Sequence, residues 1–368
     1  MKRVKVGIIG CGNISRYGNA PGYLECEKAE ITAVCDSLRE RARECMSSWG
    51  SERFYTDYRK LLRDDGIDAV DICLPNYLHA KVCIEAAEAG KHIAVQKPMA
   101  MNVTECDEMI KAATNAGVKL MVEECEIFYP PYMKTKELVE KEQIGDPRLM
   151  QISLQSGVLP PEEYEKRRLR VPEEEESRIS WRARREKHGG FIFDTVWHKF
   201  ALAYDFFGPV EKVDAWIENL EKEMPSTIMW KHENRKYGTM SIVHTPKMYA
   251  FCEFLRYPLP AVVEVVGSKG IIWATRSEGQ TIEAPPVIMY DGVYPGKTIH
   301  FETEADYFSG FRNMTRHFVE CILEDERPKL TGEDGREILQ FALAVYRSAK
   351  EERTVNPSSI TDWDWKAI

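Results

Sequence analysis

The chain has 368 residues, 43% of them hydrophobic and 30% charged, with a formal net charge of −9 at neutral pH. That length allows two domains with cores of their own, and the acidic balance argues against a nucleic-acid partner, which needs a concentrated basic surface. The basic runs Lys166–Arg170 and Arg182–Lys187 flank an acidic run at Glu173–Glu176 and read as solvated, salt-bridged surface. No uninterrupted apolar segment is long enough to span a bilayer, and Met1-Lys2-Arg3-Val4-Lys5 leads straight into a strand, so no membrane partner and a cytoplasmic location are expected. Eight of the 10 cysteines lie at or before Cys125, with no CxxC pair and no nearby histidine cluster. Reduced, buried thiols are expected, and no metal.

Val4–Ile9 is a short apolar run ending at Gly10, the form of a buried parallel strand. Gly10-Cys11-Gly12-Asn13-Ile14 follows, a glycine loop that brings backbone amides against a pyrophosphate at a helix start. A second strand, Ile31–Cys35, ends at Asp36, about 20 residues past the loop, where such folds place the acid that holds the adenosine ribose hydroxyls. A carboxylate there favours NAD over NADP, with Arg39 and Arg41 close by; the alternative for Asp36 is a helix N-cap. Thr56–Leu62 reads as a helix, Ala69–Leu74 as a strand leading to Pro75-Asn76, and Leu78–Ala89 as a helix closed by Gly90. His92–Val95 is the next strand and delivers Gln96-Lys97-Pro98. Thr104, with Asp107 three places on, is expected to cap a helix to about Ala116, and Lys119–Glu123 is the last strand of this half. This alternation predicts a doubly wound parallel sheet, whose ligands bind at the carboxyl ends of its strands. Gly10, Asp36, Pro75-Asn76 and Lys97 all fall there.

From Tyr129-Pro130-Pro131 onward the pattern changes. Tyr132–Glu142 is an amphipathic helix, Arg148–Ser156 a strand, and Gly157–Ser180 a charged stretch without a period. Gly190–Phe207 reads as one helix. Val213–Ile217, Gly238–Thr245, Tyr249–Arg256, Ala261–Gly267 and Ile271–Thr275 read as consecutive strands of an open antiparallel sheet, with helices Ser309–Leu323 and Glu333–Lys350 after it. Only one long helix is near enough to cover that sheet, so its face is expected to join subunits.

Further motifs are Ile67-Asp68-Ala69-Val70-Asp71-Ile72, His79 after Pro75-Asn76, and Gly90-Lys91-His92. Later come Trp181-Arg182, Gly189-Gly190 with Asp194 and His198, Gly267-Ser268-Lys269-Gly270, and Thr331-Gly332-Glu333-Asp334-Gly335-Arg336. In this order, over nearly the whole length, they resemble the Gfo/Idh/MocA oxidoreductases. The resemblance implies an α/β fold: an N-terminal Rossmann domain, residues 1–124, and a C-terminal α/β domain, residues 125–368, with a large, mostly antiparallel open sheet. The last helices are expected to pack back on the first domain. It also implies NAD-dependent oxidation of a secondary hydroxyl on a sugar, glycoside or cyclitol, with C3 of a glycoside as one subclass, and a homodimer or homotetramer joined through that sheet.

Within that resemblance Lys97, fixed by Pro98 at a strand end, is expected to touch the substrate hydroxyl; the bland alternative is a surface lysine paired with an acid. His198 and Asp194 are i and i+4, so on one helix both would share a face, the imidazole taking the hydroxyl proton and the carboxylate orienting it or holding a second hydroxyl. The other seven histidines are read as structural, with His79 near the cofactor by analogy alone. Gly10, Gly12, Asn13, Ile14, Asp36, Pro75, Asn76, His79, Gln96 and Lys97 are the expected cofactor contacts. Trp181 and Arg182 are expected on the substrate side, with Glu124 and Tyr129 as further candidates there or as packing at the domain junction. Two positions depart from the family pattern. Gln96 replaces the usual Glu, removing a carboxylate beside Lys97, and Cys125-Glu126-Ile127 replaces Asn-x-Arg. A non-catalytic dinucleotide sensor, and an enzyme recycling tightly bound NAD in a non-redox net reaction, are the rival readings.

Overall fold

The computed structural model describes residues 3–158, 184–249, 260–277, 279 and 282–367. The candidate residues Trp181 and Arg182, most of the charged stretch and most of the strand expected at Tyr249–Arg256 lie outside them.

The first sheet has six parallel strands in the order β3-β2-β1-β4-β5-β6. They are β1 (Val4–Ile9), β2 (Ala29–Cys35), β3 (Arg53–Tyr55), β4 (Ala69–Ile72), β5 (His92–Gln96) and β6 (Leu120–Glu123). β1, β2, β4, β5 and β6 read as apolar runs because both their faces are covered, and nearly all their residues are buried. β3 is a three-residue, half-buried edge strand with no counterpart among the elements expected from the sequence; it precedes the helix expected over Thr56–Leu62, which is Tyr58–Leu62, capped by Asp57. The chain turns from one half of the sheet to the other between β1 and β4, opening the crevice there. The helix expected to be capped by Thr104 starts earlier, at Val103, and its cap is Asn102, which accepts from the Glu105 amide while the Glu105 carboxylate reaches back to Met101 N.

Among the described residues the second sheet has eight strands in the order β14-β13-β12-β11-β7-β10-β9-β8. They are β7 (Pro147–Val158), β8 (Val210–Ile217), β9 (Ser226–His232), β10 (Tyr237–Tyr249), β11 (Ala261–Gly267), β12 (Gly270–Ala274), β13 (Val287–Asp291) and β14 (Lys297–Phe301). Among these strands all pairs are antiparallel except β7 with β10. That pair is parallel because the helices of residues 185–207 and the β8–β9 hairpin intervene between its strands. β9, β13 and β14 have no counterpart among the strands expected from the sequence. β9 alternates Ile228 and Trp230 inward with Thr227 and Met229 outward, a short period easily lost between charged turns. The inner face (Ile152, Met240, Ile228, Val263, Ile272) is buried under helices, among them Gly332–Glu351. The outer face exposes Trp216, Met229, Tyr237 and Tyr290.

The C-terminal helices also close the first sheet. Leu330 accepts from Val122 N, Trp365 Nε1 donates to Met101 O at 2.8 Å, and helix Phe308–Leu323 seats Phe311 and Thr315 against Gly18 and Gly22. No helix among the described residues is long and apolar enough to cross a membrane.

Candidate active site

At the end of β1, Gly10 has φ +101°, and a Cβ there would stand 2.2 Å from the Cys73 carbonyl oxygen, so only glycine lets the two strand ends approach. A Cβ on Gly12 would meet nothing within 4 Å, which leaves the outer side of the loop open for a pyrophosphate. Asn13 is exposed and Ile14 half-buried at the start of a wide helical turn, Ile14–Asn19. Asp36 Oδ2 accepts from Cys11 N at 3.1 Å and Oδ1 from Leu38 N at 2.9 Å. It ties the glycine loop to β2 and closes a turn ahead of the next helix, whose N-cap is Leu38, so the N-cap alternative for Asp36 does not hold. Arg41 lies 3.8 Å from its carboxylate, and Arg39 stacks over Phe54. These residues fit a dinucleotide.

After β4, Pro75 is half-buried and Asn76 buried. Asn76 Nδ2 donates to His188 O at 3.0 Å and to Asp194 Oδ1 at 3.1 Å. His79 is fully buried beneath this loop, its ring nitrogens 2.9 Å from Pro98 O and 2.8 Å from Leu74 O. Burial pushes its pKa down, against the pull of the two carbonyls. It joins the 74–76 loop to the Lys97-Pro98 step and does not face the crevice, a correction to the analogy that placed it on the cofactor.

Gly189-Gly190 explains how Asp194 arrives. A Cβ on Gly190 would collide with the Glu223 carboxylate, and one on Gly189 with the Phe193 ring. Glu223 is buried there, receiving Ile192 N, Tyr346 Oη and Arg185, and so anchors helix Phe191–Asp194. The single helix expected over 190–207 is broken. Val196 N bonds back to Phe191 O and the ladder restarts at Val196, giving helix Trp197–Phe207 after the β-branched pair Thr195-Val196. Asp194 and His198 thus lie on two helices, and the shared-face argument fails.

Their partners differ accordingly. Lys97 Nζ donates to the main-chain oxygen of Asp194 at 2.9 Å and lies 4.0 Å from its carboxylate. Asp194 Oδ2 is 2.9 Å from His188 Nε2. His198 Nδ1 is instead 2.7 Å from Glu124 Oε1. Burial alone would raise the Glu124 carboxyl, but the His198 ring, its hydrogen bond, the Glu126 amide and Lys97 outweigh it and hold the group below the usual carboxylate range. Fully buried Glu124 therefore orients the imidazole and offers no surface to substrate. Tyr129 is also fully buried, donates to Ala305 O at 3.0 Å and packs edge-on against Tyr132 and Tyr307, the junction role weighed for it.

His188 is the residue that sequence reasoning missed when it set seven histidines aside. Its position directly before the two glycines that deliver Asp194 was the available signal. The carboxylate expected to be missing beside Lys97 is present after all, supplied by Glu124 and Asp194; Gln96 turns to Glu123, with its Nε2 2.6 Å from Oε2. None of the nine cysteines among the described residues is in a disulfide. Two clusters, Glu124-Cys125-His198 and Asp71-Cys73-Glu123, have metal-type ligand atoms within 4.8 Å of one another, yet in each the short contacts are hydrogen bonds.

A family model described as an oxidoreductase family, NAD-binding Rossmann fold, matches residues 4–124, and its companion, described as the C-terminal α/β domain, matches residues 136–356. Among curated relatives, a myo-inositol 2-dehydrogenase of Thermotoga maritima is 26% identical over 96% of this chain and 98% of its own. A D-apiose dehydrogenase of Paraburkholderia graminis is 27% identical over 98% and 91%. A solved oxidoreductase of Agrobacterium radiobacter, in complex with NAD+, L-tartaric acid and magnesium, shares the fold with a TM-score of 0.79 at 20% identity, over 97% of this chain and 99% of that one.

Proposed function

The chain belongs to the Gfo/Idh/MocA oxidoreductase family, and from that premise we propose that it oxidises a secondary hydroxyl of a sugar, glycoside or cyclitol with NAD as hydride acceptor. The observation that carries this reading is the convergence of Lys97, Asp194 and the Glu124–His198 pair at the carboxyl ends of β5 and β6. When bound, the nicotinamide supplies the hydride acceptor. Gly10, Gly12, Asn13 and Ile14 would hold the phosphates of the dinucleotide and Asp36 its adenosine ribose, while Pro75 and Asn76 would line the nicotinamide's approach to Lys97. Lys97 Nζ, anchored on Asp194 O, holds the substrate hydroxyl. His198 takes the proton through Nε2, since Nδ1 is committed to Glu124. Asp194 keeps Lys97, Asn76 and His188 in one arrangement. The names of the relatives, an inositol and an apiose dehydrogenase, support a polyhydroxylated substrate; C3 of a glycoside is the position proposed within that class. Assembly into a dimer or tetramer through the outer face around Trp216 and Met229 belongs to the same reading. NADH absorbance over a panel of sugars, glycosides and cyclitols tests it: turnover of at least one member is expected, and none with any member sinks it.

Two variants refine this. Glu124→Gln keeps an acceptor for Nδ1–H but loses the charge-assisted bond, so kcat should fall about tenfold with the KM for NAD unchanged. An unchanged kcat would remove Glu124 from the mechanism. Asp36→Ala removes a charged acceptor and should lower kcat/KM for NAD by roughly 10- to 100-fold while raising the NADP to NAD preference. Steady-state kinetics with both cofactors read the ratio, and an unchanged ratio argues against Asp36 as the ribose residue.

A further inference from the structure

Beneath the site lies a second carboxyl pair that the proposed reaction does not use. Asp71 of β4 and Glu123 of β6 are buried, with 0% and 1% exposure, and one amide lies between them. Asn19 Nδ2 is 2.9 and 3.1 Å from the two Asp71 oxygens and 2.8 Å from Glu123 Oε2. Gln96 Nε2 reaches the same Oε2, and Cys73 Sγ lies 3.0 Å from Asp71 Oδ1. None of these groups is cationic, and the Tyr23 hydroxyl also faces Asp71. Two adjacent carboxylates without a counter-ion cannot both be ionised in such a place.

The hydrogen bonds say which atom holds the proton. Oε2 of Glu123 accepts from two amides, as a carbonyl oxygen does. Oε1 is buried and finds no donor, which is wrong for a carboxylate oxygen and right for a hydroxyl beside Asp71. We infer that Glu123 is a neutral carboxylic acid donating to the Asp71 carboxylate, and that through Gln96 it fixes the strand ends from which Lys97 and Glu124 project. Gln96 and Glu123 are register partners on the adjacent parallel strands β5 and β6. The next residue on each strand, Lys97 and Glu124, meets the partners of the active site. Glu123 and Gln96 are positioning residues. The amide at 96 is then required, because a glutamate there would bring a third carboxyl into a pocket that already shares one proton between two.

The activity arm of the test rests on the proposed dehydrogenase reading; the other arms do not. Infrared difference spectra of the whole protein, wild type minus Glu123→Gln in D2O at neutral pH, should show loss of one protonated-carboxyl carbonyl band. Gln96→Glu should lower the unfolding temperature and reduce kcat about tenfold at unchanged NADH affinity. The exchange variant Gln96→Glu/Glu123→Gln, which swaps acid and amide across one hydrogen bond, should bring kcat back to within about threefold of wild type. The inference is overturned by the absence of that band, by a divalent metal ion that co-purifies with wild type and not with Glu123→Gln, by wild-type behaviour of Gln96→Glu, or by an exchange variant no better than Gln96→Glu. Should no sugar be oxidised at all, the function falls, while the infrared band and the unfolding temperatures still decide the state of Glu123.

Discussion

Lys97→Met is expected to reduce kcat by about 10²- to 10⁴-fold, the span typical of a lost proton-handling group, while NADH still binds. Methionine fills nearly the same volume, so the strand end and the Pro98 step should keep their shape. What disappears is the ammonium that donates to Asp194 O and lies 4.0 Å from its carboxylate. NADH fluorescence titration and stopped-flow absorbance separate the two effects. Retained turnover would refute the role of Lys97, and lost NADH binding would make it a cofactor anchor only.

The second large effect concerns stability. Lys199 and Glu126 are both buried and paired, with Lys199 also 5.5 Å from the centre of the Tyr132 ring. This pair lies beside the Glu124–His198 pair and joins the same two elements, the turn Cys125–Phe128 and helix Trp197–Phe207. Lys199→Met leaves the Glu126 carboxylate buried without its partner, a loss of about 3–5 kcal/mol. In a chain of this size that is roughly a 4–6 °C fall in apparent Tm. The double variant Lys199→Met/Glu126→Gln should recover much of it, since the stranded charge is then gone. Calorimetry decides, and a single variant within about 1 °C of wild type would show that water reaches the pair. Because His198 precedes Lys199, the single variant should also cost activity at temperatures where the fold survives.

The alternation of strands and helices, the glycine loop, Asp36 and the Lys97-Pro98 step were legible because each depends on local chemistry. An apolar run, a turn that only glycine permits, and a capping or strand-end position are written within a few neighbouring residues. The family pattern extended that reading to the second domain and to Asp194 and His198. The partners within the site were not legible. The i, i+4 spacing of Asp194 and His198 suggested one helix face, but the ladder shifts at Thr195-Val196, and the imidazole instead takes a carboxylate from 74 residues earlier in the chain. His188 and the Asp71–Glu123 pair escaped for the same reason. Whether a histidine is a bystander, or two acids share a proton, is decided by burial and by contacts between distant strands and loops, and periodicity carries neither. Local patterning carried the parallel sheet and the residues at its strand ends, but not the full second sheet; which of the charged groups face one another follows from the packing of distant segments, because removal from water is what forces them to pair.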